Sequence, residues 1–349
     1  MSYTNGLDKP TDYFETKLYT GTGSSQSITG VGFQPDWVWI KKRSGVDGAR
    51  MFDVVRGASE GLFTNSNAEE VTVSSEHTSF DSDGFSLGSS ENVNESSGTF
   101  VSWNWLAGGT ASSNTDGSIT SQVSANTTSG FSIVSYTGNA TSGATVGHGL
   151  GAVPKMIIVK KLNGAANWTI YNSNLSTGAS SYLYLNSTDA EGTNYAGYWN
   201  STTPTSSVFT LGNAGDTNGN TNTYIAYCFA EKKGFSRFGS FQGNGSNDGS
   251  YIHLGFKPAF LIIRRTDDGD NWVMFDNKRN EFNLTDKRLY SNSNVAEATA
   301  SSVSLDLLSN GFKLRGTDSQ INNASGSYIY MCFSESPFTT STGIPTTAR

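Results

Sequence analysis

The 349-residue chain is short of cysteine (2), histidine (3) and proline (7). Two cysteines cannot build a disulfide scaffold, so the fold must rest on packing, as suits a reducing compartment. The three histidines show no His-x-His or His-Glu-x-x-His spacing, and no Cys-x-x-Cys occurs, so no metal-ligand motif is present. Positive charge is also scarce: 23 Lys and Arg stand against 30 Asp and Glu, a net charge of −7. A grip on phosphate backbones needs clustered excess basic residues, which excludes general nucleic-acid binding. No apolar run approaches the roughly 20 residues that span a bilayer, and the opening MSYTNGLDKPTDYF has no apolar signal core. We expect a soluble chain made in a cytosol, without membrane insertion.

What is abundant is Gly (39), with Ser, Thr and Asn, between short bursts of Val, Ile, Thr, Tyr, Phe and Trp. Such bursts bounded by turn formers read as short strands, and the chain as all-β. One pattern occurs three times. Its anchor is a proline, one residue, four apolar residues and two basic ones: Pro35 with Trp37-Val38-Trp39-Ile40-Lys41-Lys42, Pro154 with Met156-Ile157-Ile158-Val159-Lys160-Lys161, and Pro258 with Phe260-Leu261-Ile262-Ile263-Arg264-Arg265. Four apolar residues in a row predict a central strand covered on both faces.

Other landmarks keep their order around each anchor. Upstream stand Tyr19-Thr20-Gly21, Tyr136-Thr137-Gly138 and Phe241-Gln242-Gly243. Downstream come Met51-Phe52-Asp53, Ile170-Tyr171-Asn172 and Met274-Phe275-Asp276, then Leu62/Asn65, Leu183/Asn186 and Leu289/Asn292. Each copy closes on an aromatic strand, at Phe100–Trp105, Tyr224–Phe229 and Tyr328–Phe333. The anchor prolines lie 119 and 104 residues apart, so each repeat is domain-sized. The expected architecture is three tandem β-sandwich domains of jelly-roll or lectin-like kind, each with its own core, at 15–108, 131–233 and 235–338. Residues 109–130, rich in Gly, Ser and Thr, read as a linker, and 339–349 as a tail. Lys232-Lys233-Gly234 leaves so little slack that repeats two and three should pack together. Asp83-Gly84 and Asn310-Gly311 read as hairpin turns.

A feature found at one place in every copy belongs to the fold before it belongs to an active site. The Gly21-Thr22-Gly23 and Gly243-Asn244-Gly245 runs lack the third glycine and helix of a phosphate loop. Asp81-Ser82-Asp83-Gly84 lacks the outer ligands of a calcium loop. The basic pairs read as strand ends with local ion pairs, and Cys228 and Cys332, in one slot of the aromatic strand, as buried free thiols. No catalytic nucleophile, metal site or cofactor site emerges, and we expect a non-enzyme. The tryptophans allow two readings. Apolar counterparts in the other copies favour core packing for Trp37, Trp39, Trp103 and Trp105; the rival makes these, with Trp199 and Trp272, exposed stacking platforms for a glycan.

Residues 1–14 have no counterpart before the later repeats and carry Leu7, Pro10, Tyr13 and Phe14. A short apolar extension of this kind can order on a partner, so these four residues are expected to dock the chain to a neighbouring subunit or a sister chain.

The segments Tyr19-Thr20-Gly21 to Lys41, Ser79 to Gly88, Gly239 to Gly245 with Gly255 to Phe260, Gly6 to Phe14 and Ser334 to Phe338 resemble a family of uncharacterised virion proteins of tailed, especially marine, bacteriophages. The resemblance covers nearly the whole chain. It implies a virion-associated structural product: a tail fibre, a tail-tip protein or an exterior decoration, partnered by other virion proteins, by further copies of itself and by a host surface glycan. It supplies no catalytic residues. A carbohydrate-binding host-recognition module is the alternative.

Overall fold

The computed structural model describes residues 7–346; residues 1–6 of the expected docking extension lie outside the described residues. The regular secondary structure of the described residues is almost entirely antiparallel β-strand. Its first large sheet runs in the order Phe14–Thr20, Thr99–Trp105, Trp37–Lys42, Arg50–Asp53, Gly57–Phe63, Val71–Thr72. The third repeats that order with Ser236–Gln242, Ser327–Pro337, Phe256–Arg265, Val273–Asp276, Lys287–Tyr290 and Ala298–Thr299. The second has Phe131–Thr137, Thr223–Phe229, Met156–Lys161, Thr169–Asn172 and Leu183–Tyr184 in the same order. Each anchor strand lies inside its sheet, as four apolar residues in a row require.

Two strands correct the expected linker at 109–130. Ser112–Asn114 and Ser121–Asn126 form a hairpin on the outer edge of the second sheet, paired to Phe131–Thr137 with Val123 opposite Val134. A Gly/Ser/Thr-rich composition serves an edge hairpin as readily as a linker, and Ser121, Val123 and Ser124 are buried.

A small sheet covers one face of each large sheet. In the first and third lobes it has three strands: Gln26–Thr29, Gly84–Leu87 and His77–Asp81, then Tyr251–His253, Gly311–Leu314 and Leu305–Leu308. In the second lobe it has two, Ala144–Gly147 and Val208–Leu211. Alternate residues of each anchor strand face this layer. Val38 and Ile40 pack with Ile28, Phe52, Phe85, Leu87 and Phe100. Ile157 and Val159 pack with Phe209 and Leu211, and Leu261 and Ile263 with Phe312 and Leu314.

The other face of every large sheet turns toward a single common core. Trp37, Trp39, Trp103 and Trp105 of the first lobe, Met156, Ile158, Tyr227 and Phe229 of the second, and Phe260, Ile262, Met331 and Phe333 of the third form one cluster. The registers coincide: Trp39 lies opposite Trp103, Ile158 opposite Tyr227, and Ile262 opposite Met331. The lobes are therefore not independent beads, because alternation gives each anchor strand a second apolar face that only the other lobes can cover. Burying one tryptophan there removes roughly 150–250 Å² from water, about 4–6 kcal/mol of transfer free energy before entropy is subtracted.

Two landmarks acquire physical causes. Each lobe has a one-turn helix, Glu91–Asn94, Gly215–Asn218 or Ser319–Asn322, ending in a buried asparagine. The Asn218 side chain donates to Gly212 O (2.7 Å) and Thr141 O (3.0 Å) and accepts from Asn139 N (2.9 Å). Asn94 and Asn322 make the same three bonds in their lobes. These asparagines pin the loop after Tyr-Thr-Gly, and a Cβ on Gly21, Gly138 or Gly243 would collide with the backbone beside them. Gly84 and Gly311 are not the turn residues: the two-residue turns are Ser82-Asp83 and Ser309-Asn310. A Cβ at Gly84 or Gly311 would fall on the carbonyl oxygen of Ile28 or Ile252 in the next strand, so close approach is what demands glycine.

Candidate functional site

The six tryptophans considered for glycan stacking are all buried, none more than 1% exposed. Trp37, Trp39, Trp103, Trp105 and Trp272 lie in the common core, and Trp199 packs edge-on against Tyr171 inside the second lobe. The stacking reading is thus corrected for every one of them. The docking residues are corrected likewise. Leu7 and Phe14 belong to the common core, where Phe14 lies 4.8 Å from Trp105 and 5.4 Å from Phe333 between ring centroids. Pro10 is buried, and half-buried Tyr13 meets Phe235 edge-on. This chain's own core occupies the apolar groups that were expected to seek a partner.

The basic pairs work across the seams between lobes. Lys41 Nζ donates to Ser293 O of the third lobe at 2.7 Å, and Lys160 Nζ to Asn67 O of the first at 3.2 Å. Arg264 reaches Asp189 O of the second. Each also caps a carbonyl of its own lobe: Asp47, Ala166 or Asp270. Three backbone bonds run the same circuit, from the N–H of Glu70, Glu191 and Glu297 to Leu162 O, Thr266 O and Arg43 O, at 2.9, 2.8 and 3.0 Å. The lobes therefore close a ring. Burial holds the Lys41 and Lys160 ammonium groups down to about 8, and Arg264 down to about 10.

Two seams carry a buried charge relay that the other lacks. Tyr227 donates to Asp53 Oδ2 at 2.8 Å, and Asp53 pairs with Arg56, which pairs with Glu70. Trp103 Nε1 donates to Asp276 Oδ2 at 3.2 Å, and Asp276 pairs with Arg279, which pairs with Glu297. The corresponding residues at the remaining seam are Met331, Asn172 and Leu175. Where the donor is replaced by a thioether, the acid and the arginine are neutralised together.

A cleft opens on each seam. The one between the second and third lobes, about 470 Å³, is lined by Ser176, Glu191, Ser240, Asp267 and Tyr328. The one between the first and second is lined by Glu70, Ser135 and Tyr224 at matching places, and the third by Glu15, Leu18 and Lys278. Recurrence marks these clefts as consequences of the ring.

One surface feature belongs to a single lobe. The second lobe lacks the third strand of its small sheet, and an excursion through residues 187–207 lies there instead. It brings Tyr195 and Tyr198 against Tyr182 and Tyr184. Tyr182 and Tyr198 centroids are 4.8 Å apart, Tyr195 and Tyr198 4.9 Å, Tyr182 and Tyr195 5.7 Å, all near edge-to-face. Tyr182 and Tyr184 point away from the common core because Leu183 between them points into it. Gly192 lies against the Tyr182 ring and Gly197 against Tyr195, each where a Cβ would strike the ring. The Tyr184 and Tyr198 hydroxyls are 2.6 Å apart, and Tyr198 donates to Asp216 Oδ2 at 3.3 Å. Burial raises the Asp216 carboxyl above its usual range and pushes Tyr184 up to about 12. Tyr195 is 42% exposed and Tyr182 and Tyr184 half-buried. Repeat one has Gly61 and Phe63 at the places of Tyr182 and Tyr184, and repeat three Arg288 and Tyr290. Four of the chain's 15 tyrosines within positions 182–198 of one repeat were a signal open to sequence reading.

Among the described residues no group of three His, Cys, Asp or Glu side chains could hold a metal ion, and no helix is long and apolar enough to cross a membrane. His77 and His148 are buried, and Cys228 and Cys332 are free thiols buried in the cores of separate lobes. Fold and site define an all-β protein of three sheet pairs joined on one core. A domain of unknown function, DUF7483, matches residues 9–337, and the chain belongs to that family. The match runs through all three repeats as one unit. Neither the curated proteins nor the solved structures yield a match.

Proposed function

We propose that the protein is a non-enzymatic structural and attachment component of a bacteriophage particle: a tail fibre, tail-tip or exterior decoration protein, held among other virion proteins. The observation that carries this reading is the shared aromatic core, which welds three repeats into one body and leaves loops and edge hairpins for contact. The likeness of its landmarks to virion proteins of tailed phages supports it. Peptide mass fingerprinting of gradient-purified particles tests it, with antibody-labelled electron microscopy to locate the protein. Detection at fixed copy number on the tail or head exterior is expected. Presence in the lysate with absence from purified particles would overturn the reading.

A further inference from the structure

We propose that the tyrosine cluster of the second lobe, Tyr182, Tyr184, Tyr195 and Tyr198, binds a neutral saccharide by stacking against the apolar face of the sugar ring. The proposal deepens the attachment role by naming a ligand class and a site. The exposed face of Tyr195 beside half-buried Tyr182 and Tyr184 is a rigid aromatic platform with polar tips. Its rigidity is built in. Tyr182 and Gly192 exchange backbone hydrogen bonds at 2.9 and 3.0 Å, Tyr195 N donates to Ser180 O at 3.0 Å, and Ala214 N donates to Gly197 O at 2.9 Å. A platform ordered before the ligand arrives loses little entropy on binding, and tyrosine gives much contact area for few rotatable bonds.

The polar groups suit hydroxyls. With Tyr198 donating to Asp216, the Tyr184 hydroxyl donates to Tyr198 and presents its oxygen as an acceptor. Exposed Thr193 and Asn194 directly precede Tyr195, and exposed Ser201 and Thr202 follow Tyr198 in the same excursion. Among the described residues of the second lobe, Tyr195 and Val153 are the large apolar side chains that are exposed, and only Tyr195 lies on the excursion. A protein-binding patch would be expected to add aliphatic neighbours to its aromatic anchors. Charge selects further: residues 187–207 carry Asp189 and Glu191 and no Lys or Arg, so the excursion offers an anionic sugar no counter-charge. The cluster has no counterpart in the other two lobes, which sets it apart from features the fold requires.

The test uses the purified full chain, an array of neutral oligosaccharides, and saturation-transfer NMR with the methyl glycosides of glucose, galactose, mannose and N-acetylglucosamine. Binding is expected for at least one probe, with saturation concentrated on one ring face. Tyr195→Ala should weaken it about tenfold, as loss of a stacked ring implies. Tyr195→Trp should retain it, and Tyr251→Ala, removing an exposed tyrosine of the third lobe, should leave it unchanged. The partial exposure of Tyr195 lets both position-195 variants fold, which unchanged melting would verify. No binding to any neutral probe, or equal binding by Tyr195→Ala and wild type, would overturn the proposal. Absence of the protein from particles would overturn the virion reading and leave this one standing.

Discussion

The hydroxyl of Tyr227 in the second lobe donates to Asp53 Oδ2 of the first at 2.8 Å, deep in the seam. Asp53 is also the buried counter-charge of Arg56. Tyr227→Phe should cost about 1 kcal/mol, since Asp53 keeps its arginine. Asp53→Asn should cost about 3 kcal/mol, because buried Arg56 loses its closer carboxylate and keeps Glu70 alone. The remaining seam already has Asn, Leu and Met at these places, so combining Asp53→Asn with Arg56→Leu and Tyr227→Met should be less destabilising than Asp53→Asn alone. Urea unfolding of the series checks this; additive losses would refute it.

Burial holds Lys41 down to about 8, against 10.5 for a freely solvated lysine. Between those pH values the unfolded chain holds a proton that the native chain does not. The lysine's contribution to stability is therefore full above 10.5 and is lost as pH falls toward 8. Relative to Lys41→Arg, which copies the third lobe, wild type should gain stability as pH rises from 8 to 10. Parallel melting curves across that range would contradict the assignment.

His77 Nδ1 donates to Ala58 O at 3.0 Å, and the ring stacks on Phe52 at 4.9 Å and Phe85 at 5.5 Å. Burial pushes it down to about 3 from 6.5, so it stays neutral in the fold. Its contribution is full above 6.5 and is lost as pH falls toward 3. His77→Phe should flatten the stability profile in that window by one proton. An imidazole titrating near 6.5 in the native protein would refute this.

Glycines at two kinds of position should respond oppositely to alanine. Gly84→Ala must displace the neighbouring strand and should cost more than about 2 kcal/mol. Gly215, in a one-turn helix with open space at its Cβ, should gain about 0.5 kcal/mol. Thermal melts of the two variants decide.

The strands were legible because alternation and turn residues act locally. Pro258 to Arg265 announces a strand covered on both faces, and Cys332 a buried thiol, without reference to anything distant. What covers the second face was not legible. Trp39 reads alike whether it meets its own domain or two others, and Phe14 reads as sticky whether its partner is foreign or lies in the same chain. The linker composition of 109–130 concealed an edge hairpin for the same reason, since Ser and Thr suit both. Asn94, Asn218 and Asn322 stood at equivalent places all along, but three backbone bonds to one side chain leave no periodic trace.

Ring closure inside one chain also bears on divergence. A homotrimer of the same shape would have three identical interfaces, because a change in one subunit appears in all. Joined end to end, the lobes are released from that identity. One seam could exchange its buried ions for neutral groups while the other two kept theirs, and one lobe could give up a strand for the tyrosine excursion without opening the other two.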